Sequence, residues 1–352
     1  MKPDEGQQLT DELLKEYEAK ISEEYRKAVV EVQAKLDDYL RRFAIKDEAW
    51  KRMVSSGEKT AQEYAAWRQQ QIMVGRNWEK LRDELAEDYH NANVTARKLV
   101  EQMRAGVYAE NVNFGTFEVE KAARIDSSFT LYNREAVEKI LREQPELLQP
   151  PGKQMREKLA AREDIAWQEG QIQSVTLQSI LQGESIPSMT KRIAREMGDA
   201  NHKATIRYAR TACTCAENAG RQDAYHRAEE LGVDMQREWR SVWDGRTRYS
   251  HRQLDGQVRG IDEPFDSPLG PIMFPGDPNA DPANVWNCRC RTSARVNGLE
   301  PRARKYRSDN IEGETYEEWK NSHEERTDPI EKQERIAEAM KWRTINELYK
   351  GR

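Results

Sequence analysis

The sequence predicts an α+β fold: mostly long α-helices, with a small, turn-rich, β-containing module toward the carboxyl end. Three observations predict it. Of 352 residues, 37% are hydrophobic and 34% are charged, a lean core that suits elongated helices better than one large globule. Apolar residues recur over most of the chain at three- and four-residue steps, the helical period. Against that background, residues 243–292 are dense in Gly, Pro, Asp, Trp, His and Cys, so turns and short strands should gather there.

The first helix is expected over 10–43. Leu14, Tyr17, Ile21, Tyr25, Ala28, Val32, Leu36 and Tyr39 form one stripe with charges between them, an amphipathic face that Thr10 or Asp11 can cap. A second helix spans 60–73 and continues through Trp78 and Leu81 to Arg104, with Gly75 as a break and Gly106 as the stop. Residues 108–132 alternate locally, carry Gly115 and several β-formers, and predict a hairpin or extended crossing. Asn133 caps a helix that ends before Pro145, and 149–152 is a Gln-Pro-Pro-Gly break.

Gly183 closes a helix bearing Leu177, Ile180 and Leu181. Ser185 or Ser188 opens the next, with Met189, Ile193 and Met197 on one face. The helix expected over 199–231 has an unusually small face, Ala209, Cys213, Ala216, Gly220, Ala224, Ala228 and Leu231, which lets a neighbouring backbone come close. Cys215 lies about 200° round from Cys213 and is expected at the surface, as are His90, His202 and His226. Residues 235–243 then alternate with period two, a strand that turns Trp239 and Trp243 toward the module core.

Inside the module, Asp244-Gly245 turns the chain. Thr247 caps a short helix through Leu254, and Gly256 supplies its left-handed stop. Extended pieces follow at 257–261 and 271–274, and a last strand at 292–296. The expected core residues are Trp239, Trp243, Asp244, Asp255, Gly256, Phe265, Pro275 and Trp286. A module of about fifty residues with so many turns is marginal without a staple. His251, Cys288 and Cys290 form a ligand set suited to Zn2+, with Asp244, Asp255 or water as the fourth ligand. Cys-x-Cys is tighter than the usual finger spacing, and residues two apart in a strand sit ~6–7 Å apart, so a turn or bulge must bring both sulfurs to one ion. In the alternative, His251 bonds Asp244 or a loop carbonyl, and the two Cys pack as small buried groups.

Charge and cysteine usage bound the function. The 57 basic and 62 acidic residues leave a net charge of −5, which points neither to a strongly nucleic-acid-binding chain nor to an acidic tail. Four Cys in two close pairs, Cys213/Cys215 and Cys288/Cys290, are not a disulfide framework. No apolar run approaches the ~20 residues of a membrane span, and no signal-peptide pattern opens the chain. A cytosolic or particle-bound location is expected. One basic run, Arg289, Arg291, Arg295, Arg302, Arg304, Lys305 and Arg307, has the charge to meet DNA phosphates or an acidic protein surface, or to be balanced by the acidic residues of 312–325. A last helix over 328–348 presents Ile336, Ala339 and Met340 as a narrow docking face. HExxH, P-loop and GxSxG motifs are absent, so catalysis finds little support. The competing reading is a zinc-dependent nuclease-like or DNA-binding protein using His251, Cys288 and Cys290.

Several of these pieces together resemble a known family. They are W-x-x-x-W-D-x-R-T-R-x-x-H-x-x-L-D-G from Trp239 to Gly256, F-P-G-D-P at 274–278, N-C-R-C at 287–290, ILQGESIPSMTKRIAREM at 180–197, and the segment 209–221. The combination resembles the head-morphogenesis domain of tailed-phage minor capsid proteins, the Mu F-like group, over about 169–296. Ala212-Cys213 departs from it, since such proteins commonly carry an acidic or polar residue there. With the break at 149–152, the expected domain plan is a helical amino-terminal arm at 1–150, the helical part of the resembling domain at 151–232, its β/loop module at 233–298, and a basic linker with a terminal helix at 299–352. The resemblance implies a structural, non-enzymatic, portal-associated protein of the virion, acting in head assembly, DNA packaging or ejection. The implied partners are the portal protein, major capsid or scaffolding protein, and packaged DNA, with no membrane during assembly. The implied places are the capsid interior at the portal vertex and, before assembly, the host cytoplasm. The amino-terminal helices have no counterpart in the resemblance and are expected to dock on portal or neighbouring subunits.

Overall fold

Helix α1 (Glu5–Ser55), α2 (Ala61–Met73) and α3 (Arg76–Ala123) open the chain. The computed structural model describes residues 3–73, 76–125, 129–148, 152–182, 184–299 and 313–324, with Ile336 and Met340. The helices α4 (Arg134–Glu143), α5 (Lys153–Arg162), α6 (Ile165–Leu181) and α7 (Ile186–Glu230) follow, and then a module of short antiparallel strands. This is the expected α+β class. Two compact units result, one from Met1–Glu18, Leu99–Arg156 and Arg207–Arg352, the other from Ala19–Lys98 and Glu157–Ile206.

In the second unit the predicted stripe of α1 is the buried face: Ile21, Tyr25, Ala28, Val32, Leu36 and Tyr39 are all covered. Its buried polar atoms are paired, as burial requires. Tyr25 Oη donates to Asn93 Oδ1 at 2.5 Å and lies 2.7 Å from Thr205 Oγ1. His90 and His202, expected in solvent, bond Glu163 O and Ser22 Oγ instead, at 2.6 and 2.9 Å.

Several boundaries in the first unit differ from expectation, each for a packing reason. α1 begins at Glu5 because Asp4 Oδ1 caps it, accepting from Gln7 N at 2.8 Å. Thr10 is buried and accepts from Asn111 Nδ2. α3 does not stop at Gly106, and no hairpin follows; the helix runs to Ala123. Nearly every residue from Met103 to Glu120 is buried, and a helix covered all round has no polar face to show its period. Arg124, at φ 54°, ends it. The extended run at 129–132 leans on α3: Asn113 Nδ2 donates to Tyr132 O, and Tyr132 N donates to Asn113 Oδ1, both at 2.8 Å. Asn133 caps α4 as predicted, accepting from Ala136 N at 2.8 Å.

The helix expected over 199–231 and the one before it are a single element, α7. Its small face does admit a neighbour. A Cβ on Gly220 would stand 2.6 Å from Tyr108 O, and one on Gly115 would stand 2.8 Å from Ala224 Cβ. The two glycines thus set the approach of α3 and α7. Cys215 is buried rather than at the surface, because the loop at Gly276 lies on it; a Cβ there would be 2.7 Å from Cys215 N.

The module's sheet has the order β2-β1-β5, all antiparallel, with β1 at Val233–Arg240, β2 at Val258–Gly260 and β5 at Arg291–Leu299. Arg237 pairs Arg259 on one side and Ala294 on the other. β3 (Phe265–Ser267) and β4 (Gly270–Ile272) form a separate hairpin. The short helices α8 (Tyr249–Leu254) and α9 (Pro282–Val285) punctuate the loops. The strand ends three residues earlier than expected. Trp243 therefore leaves the sheet at φ 53° and is 55% exposed, so it is not a core residue. Trp239, Leu254, Phe265, Ile272, Cys288 and Cys290 form the core.

Helix α10 (Tyr316–Glu324) lies in the acidic stretch expected to balance the basic run, and its Tyr316 and Trp319 are buried, with Trp319 Nε1 donating to Glu120 Oε2 at 2.7 Å. Ile336 and Met340, expected on a docking face, are buried too. Gly75, Gly183, residues 149–151, and most of the basic linker and terminal helix lie outside the described residues.

Candidate metal centre

Three elements converge in the module. β1 leads into Ser241, α8 carries His251, and the run between α9 and β5 carries Cys288 and Cys290. The placement of His251 starts with backbone. Arg248 is extended at the head of α8, and Gly256, at φ +79°, turns the chain out of it as predicted. Trp239 N then donates to Gln257 O at 3.0 Å and Gly256 N to Trp239 O at 2.9 Å, which stitches the end of α8 to β1. Ser241 Oγ donates to His251 O at 2.6 Å, and Ser241 N donates to Asp255 Oδ1 at 2.7 Å.

The turn that Cys-x-Cys needs is present. Asn287 sits at φ 53°, and Cys290 N donates to Cys288 Sγ at 3.3 Å. Helix α7 holds this turn with polar side chains. Asn287 N donates to Thr211 Oγ1 at 3.1 Å, Thr214 Oγ1 donates to Cys288 O at 2.6 Å, and Thr292 N donates to Asn218 Oδ1 at 2.9 Å. Sequence reasoning missed these residues. Thr211, Thr214, Asn218 and Arg221 do recur at helical spacing, but a polar stripe ordinarily marks a solvent face.

The ligating atoms of His251, Cys288 and Cys290 lie within 4.8 Å of one another. His251 Nδ1 is 3.5 Å from Cys288 Sγ and 3.4 Å from Cys290 Sγ, and Cys290 Sγ is 3.6 Å from Ser241 Oγ. All three residues are at most 3% exposed. The His251 ring meets Trp239 edge-on at 5.8 Å, and Trp239 meets Phe265 likewise at 5.2 Å. Cys290 is pulled well below the ordinary thiol range by its hydrogen bonds with Cys288 and then His251, while burial pushes Cys288 well above it. His251 Nε2 is buried with no hydrogen-bond partner among the described residues. An imidazole and two sulfurs in so dry a place can share protons among themselves or hold one soft cation.

The proposed fourth ligands are engaged elsewhere. Arg289 grips the Asp244 carboxylate with two bonds of 2.6 and 2.7 Å and holds its pKa far below the usual range. Asp255 accepts from Ser241 N and Trp243 Nε1. The alternative in which His251 bonds Asp244 or a loop carbonyl is also corrected, since its Nδ1 faces the sulfurs. The basic run fares similarly. Arg289 is paired with Asp244, Arg295 Nε donates to Glu238 Oε2 at 2.6 Å, and Arg291, 8% exposed, bonds Asp4 and Gln7 at 2.6 Å each. All three are ion-paired within the fold, Arg291 buried and Arg289 and Arg295 at the surface. Arg302, Arg304, Lys305 and Arg307 lie outside the described residues.

The family model described as Phage Mu protein F like protein matches residues 170–293. Minor head protein GP7 of Bacillus phage SPP1 is 26% identical over 214 residues, covering 60% of this chain and 66% of GP7. NAD(+)-arginine ADP-ribosyltransferase EFV of Enterococcus faecalis is 33% identical over 146 residues, covering 40% of this chain and 29% of that protein. The chain thus spans less than two thirds of each of these curated relatives. No solved structure matches it.

Proposed function

We propose that this chain, which belongs to the Mu F-like family of phage minor head proteins, is a structural component of a tailed-phage head, seated on the capsid interior at the portal vertex. The observation that carries the reading is the family match over 170–293. The architecture of that interval supports it. α7 and the module are joined by buried side-chain bonds to main-chain groups, which makes a rigid frame for presenting surfaces to other subunits. On this reading the partners are the portal protein first, then major capsid or scaffolding protein, and the role lies in head assembly, packaging or ejection.

The competing readings draw less support. A catalytic zinc keeps a coordination position open to substrate, whereas His251, Cys288 and Cys290 are almost wholly covered. Direct DNA binding loses Arg289, Arg291 and Arg295 to internal partners. The likeness to EFV covers 29% of that protein, so the transferase activity in its name stays with it. Among the described residues no helix is long and apolar enough to cross a membrane.

The test is to tag the chain in its phage and probe purified procapsids and DNase-treated virions. It should be present in both and cross-link to portal. Its absence from both particles would overturn the proposal; presence with cross-links only to the outer shell would remove the portal assignment.

A further inference from the structure

We propose that His251 Nδ1, Cys288 Sγ and Cys290 Sγ bind one Zn2+ ion that staples α8 to the start of β5. The distances carry the argument. With Zn–N at ~2.0–2.1 Å and Zn–S at ~2.3 Å, neighbouring N and S donors of a tetrahedral site stand about 3.6 Å apart. The observed separations are 3.5 and 3.4 Å. A ring nitrogen carries one proton or one lone pair, so it satisfies one sulfur at a time. Two sulfurs converging on one nitrogen is the arrangement a shared cation explains. The surroundings fit a bound thiolate as well. The backbone N–H of Cys290 points at Cys288 Sγ from 3.3 Å, the kind of outer bond that orients a ligand sulfur. Ser241 Oγ, 3.6 Å from Cys290 Sγ, is the oxygen beside the fourth position, to fill it directly or through one water. Two sulfurs and an imidazole select Zn2+ over Mg2+ or Ca2+, which take oxygen ligands. The ion would join α8 directly to the start of β5, a strand that pairs with β1 in the sheet.

The experiment uses the full chain, expressed with added zinc sulfate and dialysed against metal-free buffer. Elemental analysis should find one zinc per chain. Cys288→Ser and Cys290→Ser should lose it, while Cys213→Ser, a buried cysteine outside the cluster, and Asp244→Asn should keep it. Should the serine variants not fold, His251→Cys keeps the ion and changes the visible spectrum of the cobalt-loaded protein, which reports the imidazole ligand directly. Stripping zinc should lower Tm, and Zn2+ but not Mg2+ should restore it. Folded wild-type protein with zinc far below one equivalent would overturn the proposal. So would a Cys288–Cys290 disulfide in that protein, or zinc content unchanged in both serine variants.

Discussion

Arg221 has none of its side chain open to solvent, and its charge is met by a residue 217 positions away. Its Nη2 donates to Asp4 Oδ1 at 2.7 Å, its Nη1 to Thr292 O at 3.2 Å, and its Nε to Asn111 Oδ1 at 3.2 Å, while Glu217 stands 3.6 Å off. Removing one partner from a buried ion pair costs about 3–5 kcal/mol. Arg221→Met should therefore lower the unfolding free energy measured in urea by that order, and Arg221→Lys should not rescue it, because an ammonium cannot form the fork. The carboxylates add a pH signature of two signs. Burial raises Glu217 to about 8, against the pull of Arg221. Between the ordinary Glu range and about 8 the native state holds a proton that the unfolded chain has lost, so stability falls as pH rises across that window. Asp4 is the reverse: although burial opposes ionisation, Arg221 and Arg291 hold it below the ordinary range, and its contribution is lost as pH falls from the ordinary Asp range down through that lowered value. Urea midpoints from about pH 2 to about pH 9 should show Glu217→Gln flattening the decline toward alkaline pH and Asp4→Asn flattening the acid limb below the ordinary Asp range. If Glu217→Gln leaves the alkaline slope unchanged, Glu217 titrates normally and the alkaline decline has another source. None of this network was legible in sequence. Arg221 belongs to the stretch that carried the family resemblance, but a lone Arg on a polar stripe reads as solvated until the fold brings Asp4 to it.

At the scale of elements, period was legible and boundaries were not. The α1 stripe, the Asn133 cap, the period-two strand and the Gly256 stop were all visible, because each rests on local spacing or a single dihedral. Local propensity places a stop for α3 at Gly106, because a glycine in a helix interior costs up to about 1 kcal/mol. Packing overrides that cost. Gly115 and Gly220 lie where α3 and α7 leave no room for a Cβ. Gly220→Ala would place a Cβ against Tyr108 O and, at 3.0 Å, against Val112 N; both are backbone, so the helices must part, at about 1–3 kcal/mol. Gly170 in α6 has open space around the position a methyl would take, with nothing within 4 Å, so Gly170→Ala should stabilise by about 0.5–1 kcal/mol. Thermal melts of the two variants should shift in opposite directions. A shared upward shift would mean that helix propensity, not the spacing of α3 and α7, sets the role of Gly220.

At the scale of the molecule, the family match and the compact unit are different things. The match covers 170–293, while the unit that contains the module also takes in Met1–Glu18 and Leu99–Arg156. The sequence identified the first because motifs are contiguous. It had no means of identifying the second, because contacts such as Arg291 with Asp4 and Gln7 span more than 280 residues. The consequence is testable. A fragment of residues 164–299 keeps His251, Cys288 and Cys290 and every residue of the match. It loses Asp4, Gln7 and Asn111, the partners of Arg221 and Arg291, and it bares the small-residue face of α7 that α3 covers. The loss of Asp4 from Arg221 and Arg291, with only Glu217 left 3.6 Å from Arg221, and an uncovered apolar face together exceed the margin by which a domain of this size is stable. The fragment should keep far-UV helix signal, lose near-UV structure and bind ANS, the marks of a loosely packed state. Co-expression with residues 1–148 should restore near-UV structure and co-purify the two pieces. A fragment that melts cooperatively on its own, with dispersed NMR signals, would show instead that the family motifs and the folding unit coincide, and that the amino-terminal contacts are additions to a self-sufficient domain.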